Sequence, residues 1–327
     1  MSKNYGTGIP WKILLNKRII KNLSIFAAYF FTLQGSLKKL VTLKTIFDNH
    51  TLNGFLSAAR SHGQSVGLVP TMGALHKGHI ALVNCCIRDN DVTVASIFVN
   101  PDQFNDPDDL KNYPRDMDAD LRSLEKAGCD VAFAPSVKTV YPEPDKRIFD
   151  FGELDKVMEG QYRPGHFNGV ARVVSRLFEM IKPHRAYFGE KDIQQLAVIR
   201  KMTKMLDLPV EIIACPTVRE SDGLAMSSRN ALLGPEQRKN APLINLTLQE
   251  AATKKGMKIG EIKQWVIETI NANPFLEVEY FEIVDASDLQ PADDHRHFGG
   301  GLLGCIAVRA GKVRLIDNVF FYNFAAL

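Results

Sequence analysis

"SVGLVPTMGALHKGHIALVNCCIRDN", Ser65 to Asn90, decides the architecture. Its first six residues, Ser65–Pro70, are a short β-branched apolar run that reads as a strand. From His79 onward the apolar residues recur at helical spacing. Between the two lies a glycine-bearing turn carrying His76 and His79, three residues apart. "VTVASIFVN", Val92–Asn100, follows as a nearly continuous apolar strand of the kind buried in a parallel sheet.

Working outward, strands and helices keep alternating. "DMDADLRSLEKAG" has acidic residues in its first turns and Gly128 where a C-cap belongs. "CDVAFAPS" reads as a strand, "FNGVARVVSRLFEMIKP" as a helix stopped by Pro183, and "AYFGEKD" as a strand and loop. "IQQLAVIRKMTKML" is a helix and "VEIIACPTV", Val210–Val218, a strand. This alternation predicts a doubly wound, Rossmann-like parallel α/β sheet with right-handed crossovers over residues 41–218. Beyond "RESDGLAMSSRN" the style shifts. Helical stretches Pro235–Gly256 and Ile259–Asn273 precede strands near Val278–Ala286, Leu302–Arg309 and Val313–Phe321. We expect a smaller α+β C-terminal domain over 219–327, acting as a lid.

The chain has 327 residues, 45% hydrophobic and 24% charged, an ordinary globular balance. Its net charge of +3 comes from residues 1–40, which carry seven Lys/Arg and no acid; the remainder has 33 basic against 37 acidic side chains. A mildly acidic body argues against nucleic acid as partner. Within the basic head, "IFAAYFFTL" (Ile25–Leu33) is too short to span a bilayer, which takes about 20 apolar residues. No small-residue cleavage site follows it. Residues 1–40 are expected to be a dispensable extension or a misplaced start, with no membrane association. Five cysteines without Cys-x-x-Cys spacing fit a reducing cytoplasm.

A turn between a strand's carboxyl end and a helix N-terminus is where open α/β sheets bind ligands. Free N–H groups and a partial positive charge there attract phosphate. Gly73 and Gly78 would let the backbone approach a ligand closely, and His76 and His79 could donate to phosphoryl oxygens. A metal site lacks a third ligand of suitable spacing; a pair of structural histidines is the blander alternative. In "DGLAMSSRN", Ser227, Ser228 and Arg229 offer donors and a fixed cation to a polyphosphate. Gln103 in "SIFVNPDQF" and Gln195 in "FGEKDIQQL" are neutral amides suited to a hydroxy acid, unless they are surface or capping residues.

"HKGH" and "MSSR" together resemble the "HIGH" and "KMSKS" signatures of the nucleotidyltransferase superfamily, which includes class I aminoacyl-tRNA synthetases. From about Val41 to the C-terminus the chain is similar, more specifically, to the pantoate–β-alanine ligase family. The stretches that carry the likeness are "VPTMGALHKGH", "SIFVNPDQF", "YPRDMDADL", "AFAPS", "EGQYRPGHFNGV", "FGEKDIQQL", "DGLAMSSRN" and "RLIDN". The resemblance implies ATP-dependent condensation of pantoate with β-alanine through a pantoyl adenylate, with Mg²⁺ held mainly by the ATP phosphates. It implies ATP contacts at Met72, Gly73, Ala74, Leu75, His76, Lys77, Gly78 and His79. Further ATP contacts are implied at Gly189, Glu190, Lys191, Asp192, Val218, Met226, Ser227, Ser228 and Arg229. His79, His76, Lys191 and Arg229 would carry the catalysis, with His79 as proton donor. Gln103 and Gln195 would hold pantoate, and Gln103 would also face β-alanine. A homodimer is implied as well. The alternative is an adenylyltransferase of the same superfamily with no ligation step. Three departures stand out: Asp102 replaces an often apolar residue, the head before Val41 has no counterpart in the family pattern, and "HFGGGLLG" (His297–Gly304) has no assigned role.

Overall fold

The runs read as strands assemble into one six-stranded parallel sheet of order β1-β4-β3-β2-β5-β6. The strands are β1 (Lys44–Ile46), β2 (Val66–Thr71), β3 (Val92–Ile97), β4 (Val131–Phe133), β5 (Arg185–Gly189) and β6 (Glu211–Cys215). The structure is a computed structural model and describes residues 42–104, 107–254, 256–293 and 301–321. The expectations placed on residues 1–40 and on His297–Gly300 lie outside the described residues. The helices of this part are α1 (Asn49–Ser61), α2 (Lys77–Asp89), α3 (Met117–Ala127), α4 (His166–Ile181) and α5 (Ile193–Met205). Neither β1 nor α1 was picked out from the sequence. Asp48, whose side chain accepts from the Thr51 N–H at 2.9 Å, marks where α1 begins.

Strand side chains alternate between the faces, so each face acquires its own helical layer. Leu68, Val94 and Phe133 pack with Leu52 and Leu56 of α1 and Val174 and Leu177 of α4. Their strand neighbours Val69, Ala95 and Ala132 pack with Val83 and Cys86 of α2 and Leu124 of α3. Two-sided burial is why these strands read as continuous apolar runs, and the doubly wound fold class is observed. Asp116 caps α3 by accepting the Ala119 N–H at 2.9 Å, and Gly128 ends it at φ 87°, where the sequence places a C-cap.

Chain order reverses at β2, which has β3 on one side and β5 on the other. Pro70 opens the sheet at this switch point. The Val66 carbonyl accepts from His184 N beside β5, so the backbone polar groups of residues 66, 68 and 70 face β5. At position 70 there is no N–H to offer. The β2–β5 pairing runs only through Gly67↔Arg185 and Leu68↔Ala186. Beyond it the strands part, and Pro70 lines the cavity between them.

The later residues build β7 (Glu277–Asp285), β8 (Leu302–Ala310) and β9 (Val313–Phe321), an antiparallel sheet of order β7-β8-β9. Helices α6 (Leu243–Ala251) and α7 (Ile259–Asn271) cover one face through Ile244, Leu248, Ile262 and Val266. The other face packs on Met158, Leu154 and Ile193. One sequence expectation fails here. Pro235–Gly256 is not a single helix but Pro235–Asn240 followed by α6, because Pro242 has no N–H to donate to Arg238. Part of the glycine-rich stretch acquires a reason: a Cβ on Gly304 would lie 2.9 Å from the Phe321 ring and 3.1 Å from that of Phe281.

Candidate active site

Four strands end level with one another. Thr71 of β2 pairs with Ile97 of β3, and Gly189 of β5 pairs with Cys215 of β6. The segments leaving β2, β3, β5 and β6 therefore surround one crevice at the switch point, where this topology places ligands.

After β2, His76 caps α2. Its Nδ1 accepts the Gly78 N–H at 3.1 Å, while Nδ1 of His79 accepts the His76 N–H at 3.3 Å. Both Nδ1 atoms being acceptors, the proton of each neutral ring sits on Nε2, free to donate. Burial, then the charges of His76 and Lys191, push the His79 imidazole down to about 3. Burial and Lys191 push His76 down to about 4. The rings are neutral donors at pH 7, with centroids 4.0 Å apart.

The glycines serve packing more directly than ligand approach. Gly73 has φ 79° and would place a Cβ 2.8 Å from Oδ2 of Asp120. That buried carboxylate accepts the Ala74 and Leu75 N–H groups at 2.9 and 2.7 Å, fixing the turn from α3. On Gly78 a Cβ would strike the His76 ring at 2.8 Å.

After β3, Pro101–Gln103 form a single 3₁₀ turn. Buried Asn100 holds it, accepting from Asp102 N–H at 3.4 Å and Tyr141 O–H at 3.2 Å and donating to the Gly169 carbonyl at 3.1 Å. Gln103 then donates its amide to the Met72 sulfur at 2.8 Å. Asp102 points outward, 3.5 Å from Arg172, so its charge leaves this packing undisturbed.

After β5, Lys191 and Asp192 lie in a second 3₁₀ turn, and Gln195 follows one turn into α5. Gln194 beside it is structural: it accepts from Glu159 N–H at 2.9 Å and donates to the Leu154 and Val157 carbonyls at 2.7 and 2.9 Å. After β6, Met226 N–H returns to the Val218 carbonyl at 2.9 Å. Ser227 accepts from Arg229 N–H at 3.3 Å, and Ser228 donates to the Ala74 carbonyl at 3.0 Å, joining this segment to the histidine turn. Arg229 pairs with Asp109 at 2.9 Å and lies 5.7 Å from the Tyr113 ring centre.

His76, Gly78, His79, Gln103, Lys191, Asp192, Gln195 and Met226–Arg229 together line a cavity of about 220 Å³. A wider cleft of about 770 Å³ continues from Lys191, Asp192, Ser227 and Arg229 to Arg163, Arg309, Lys312 and Arg314. Among the described residues, no group of three or more His, Cys, Asp or Glu side chains could hold a metal ion. No described helix is long and apolar enough to cross a membrane.

The family model for pantoate-beta-alanine ligase matches residues 44–320. The chain belongs to the pantoate–β-alanine ligase family. It is 54% identical over 270 residues to the pantothenate synthetase of Porphyromonas gingivalis, covering 82% of this chain and 96% of that one. Among solved structures it is similar to pantothenate synthetase from Thermus thermophilus, with TM-score 0.79, 44% identity and coverage of 86% and 100% of the two chains. It is also similar to the pantoate-beta-alanine ligase of Francisella tularensis complexed with beta-gamma ATP and beta-alanine, with TM-score 0.71, 34% identity and coverage of 86% and 99%.

In this pantoate–β-alanine ligase, the expected residues that line the cavity are Met72, His76, Gly78, His79, Gln103, Gly189, Lys191, Asp192, Gln195, Val218, Met226, Ser227, Ser228 and Arg229. Gly73, Ala74, Leu75, Lys77 and Glu190 do not line it. The first three stand behind it on Asp120, and Lys77 is exposed. The sequence reading did not single out Tyr113, Asp120, or the wall that α4 supplies through Val170, Val173, Val174 and Leu177. That wall has ordinary core spacing, so nothing in its pattern separates it from a helix face packed on a sheet.

Proposed function

We propose that the 220 Å³ cavity, together with the wider cleft that continues from Lys191 and Arg229, holds ATP and pantoate side by side for ATP-dependent formation of pantothenate. The observation that carries this reading is the meeting of two Nε2 donors, Lys191 and Arg229 with the amides of Gln103 and Gln195 around one space. The cations and donors suit a triphosphate, and the amides suit the hydroxyl and carboxylate of pantoate. Pantoate's carboxylate attacks the α-phosphorus, forming a P–O bond to the acyl oxygen as pyrophosphate leaves. The neutral amine of β-alanine then attacks the acyl carbon, forming the C–N bond; its proton passes to solvent, and AMP leaves as the acyl C–O bond breaks. A carboxylate is already anionic at neutral pH, so the first step needs no base. His76 and His79 act as neutral donors to charge growing on the phosphates. Asp192 is the one carboxylate lining the cavity among the described residues, so Mg²⁺ would be carried mainly by the nucleotide and would supply further charge neutralisation.

The remaining expectations belong to the same proposal. Residues 219–327 act as a lid that narrows the 770 Å³ cleft over the triphosphate. The enzyme works as a cytoplasmic homodimer, and its five free cysteines accord with a reducing compartment.

Labelled pyrophosphate should exchange into ATP when pantoate and Mg²⁺ are present and β-alanine is omitted. Adding β-alanine should then yield AMP and pantothenate together. Alanine at His79 or Arg229 should suppress exchange by about 10²-fold or more, the scale of losing one donor to developing charge. Exchange supported by a phosphate ester in place of pantoate would assign the chain to the simple adenylyltransferases instead.

A further inference from the structure

Three of the four segments around the cavity are capped by their own side chains: His76 at the start of α2, Asn100 at the Pro101–Gln103 turn, and Ser227 at the turn that follows it. The fourth, Glu190–Asp192, carries Lys191 and differs. It has no side-chain cap at Gly189, and Asp192 provides none where α5 begins. The turn is held from outside. Asn318 of β9 donates one amide hydrogen to the Glu190 carbonyl at 2.8 Å and the other to the Lys191 carbonyl at 3.0 Å, across 127 residues of sequence. Asn318 is 8% exposed, so these bonds are shielded from water. The preceding residue holds the neighbouring segment. Asp317 takes a bidentate pair from Arg219 at 2.6 and 2.9 Å, and Arg219 also donates to the Gly223 carbonyl at 3.1 Å. Arg219 directly follows Val218 and begins the narrow hairpin that leads into Ser227–Arg229.

We infer that Asn318 is a positioning residue for Lys191, and that the Asp317–Asn318 step of β9 sets the spacing between the two cation-bearing segments of the site. Two adjacent residues on one strand grip the Lys191 turn and the Arg229 hairpin, so the antiparallel sheet acts as a ruler between them. Losing the Asn318 amide leaves two carbonyls without these donors and frees an otherwise uncapped turn, so the Lys191 ammonium is less well placed. A misplacement of about 1 Å at a reacting centre costs on the order of 10²-fold in rate. This inference rests on the proposed assignment of Lys191 to the nucleotide phosphates.

The test is a double-mutant cycle read by pantoate-dependent pyrophosphate–ATP exchange. Asn318→Ala should lower the exchange rate about tenfold to a hundredfold, with the KM for β-alanine in the full reaction within twofold of wild type. Asn318→Ser, smaller and with a single donor, should fall between and covers the case of a poorly folded alanine variant. In a Lys191→Ala background the Asn318→Ala penalty should vanish, because its action passes through Lys191. Thr203→Val, which removes a buried hydroxyl bond to the Ile199 carbonyl in α5, should lower thermal stability without changing exchange. An Asn318→Ala enzyme with wild-type exchange, or a penalty that persists undiminished without Lys191, overturns the inference while leaving the site assignment standing. If Lys191→Ala itself exchanges normally, the assignment fails and takes this inference with it.

Discussion

The imidazoles of His76 and His79 are set by backbone rather than by carboxylates. Each Nδ1 is occupied by an N–H of the α2 cap, and burial keeps the rings neutral. With values lowered from 6.5 to about 4 and about 3, the unfolded chain takes up protons first as pH falls. Their contribution to stability is therefore complete above pH 6.5 and lost progressively as pH drops toward those lowered values. Nitrogen-detected NMR of the free enzyme at pH 6 should show both rings neutral, with Nε2 protonated. Adding ATP should raise both values, since phosphate favours the charged ring. A ring that titrates near 6.5 in the free enzyme would contradict this picture.

At the scale of the element, the Pro101–Gln103 turn and α4 form one unit. Gly169 of α4 lies against the turn so closely that a Cβ there would collide with the Asp102 carbonyl and stand 2.8 Å from Gln103 Cα. The neighbouring atoms are backbone and cannot swing aside. Gly169→Ala should cost about 1–3 kcal/mol of stability, as overpacking does. It should also push Gln103 out of line, raising the KM for pantoate about tenfold and that for ATP less than about threefold, since the displaced residue is an amide and not a phosphate ligand. Thermal melts and initial-rate kinetics on the variant check both parts. Equal losses for the two substrates would mean that the displacement spreads beyond the turn.

Across the whole molecule, Glu159 joins the antiparallel sheet to α5, whose Gln194 accepts the Glu159 N–H at 2.9 Å. The buried Glu159 carboxylate accepts Arg314 at 2.7 and 2.8 Å and Tyr280 O–H at 2.8 Å. From the same region Arg163 meets His166 at 3.1 Å, and His166 meets the Gln103 carbonyl at 2.8 Å. Burial works to raise the Glu159 carboxyl, but the Arg314 hydrogen bonds and charge outweigh it and hold it below its usual 4.5. A carboxyl lowered in the folded state stabilises above its unfolded value and loses that contribution as pH falls through the folded one. Glu159→Gln should therefore cost about 1–3 kcal/mol at pH 7, the scale of a lost buried hydrogen bond to a charged group, because Arg314 keeps Glu279 as a second carboxylate at 2.7 Å. The difference from wild type should shrink in denaturant titrations below about pH 4, where the wild-type carboxylate is itself being protonated. A difference that stays constant with pH would show that packing, and not charge, is what the substitution removes.

Residue patterning by itself determined the layered α/β body, because two-sided burial leaves a continuous apolar run in every central strand and turns keep their glycines and caps. It also indicated the histidine turn and the serine–arginine segment, whose chemistry is local: His76 caps its own helix, and Ser227 caps its own turn. Tertiary structure decided what depends on residues far apart in the chain. Gln194 and Gln195 are the same amide one position apart. Only packing against the Leu154 and Val157 carbonyls turns the first inward and leaves the second to line the cavity. Asp120 reads as one more acid on an amphipathic helix until α3 carries it under the Gly73–Leu75 turn. Asn318 reads as a polar residue in a late strand until β9 lies against the Lys191 turn. A side chain's local pattern records which face it prefers, whereas its partner is chosen by the register and topology that bring distant segments together.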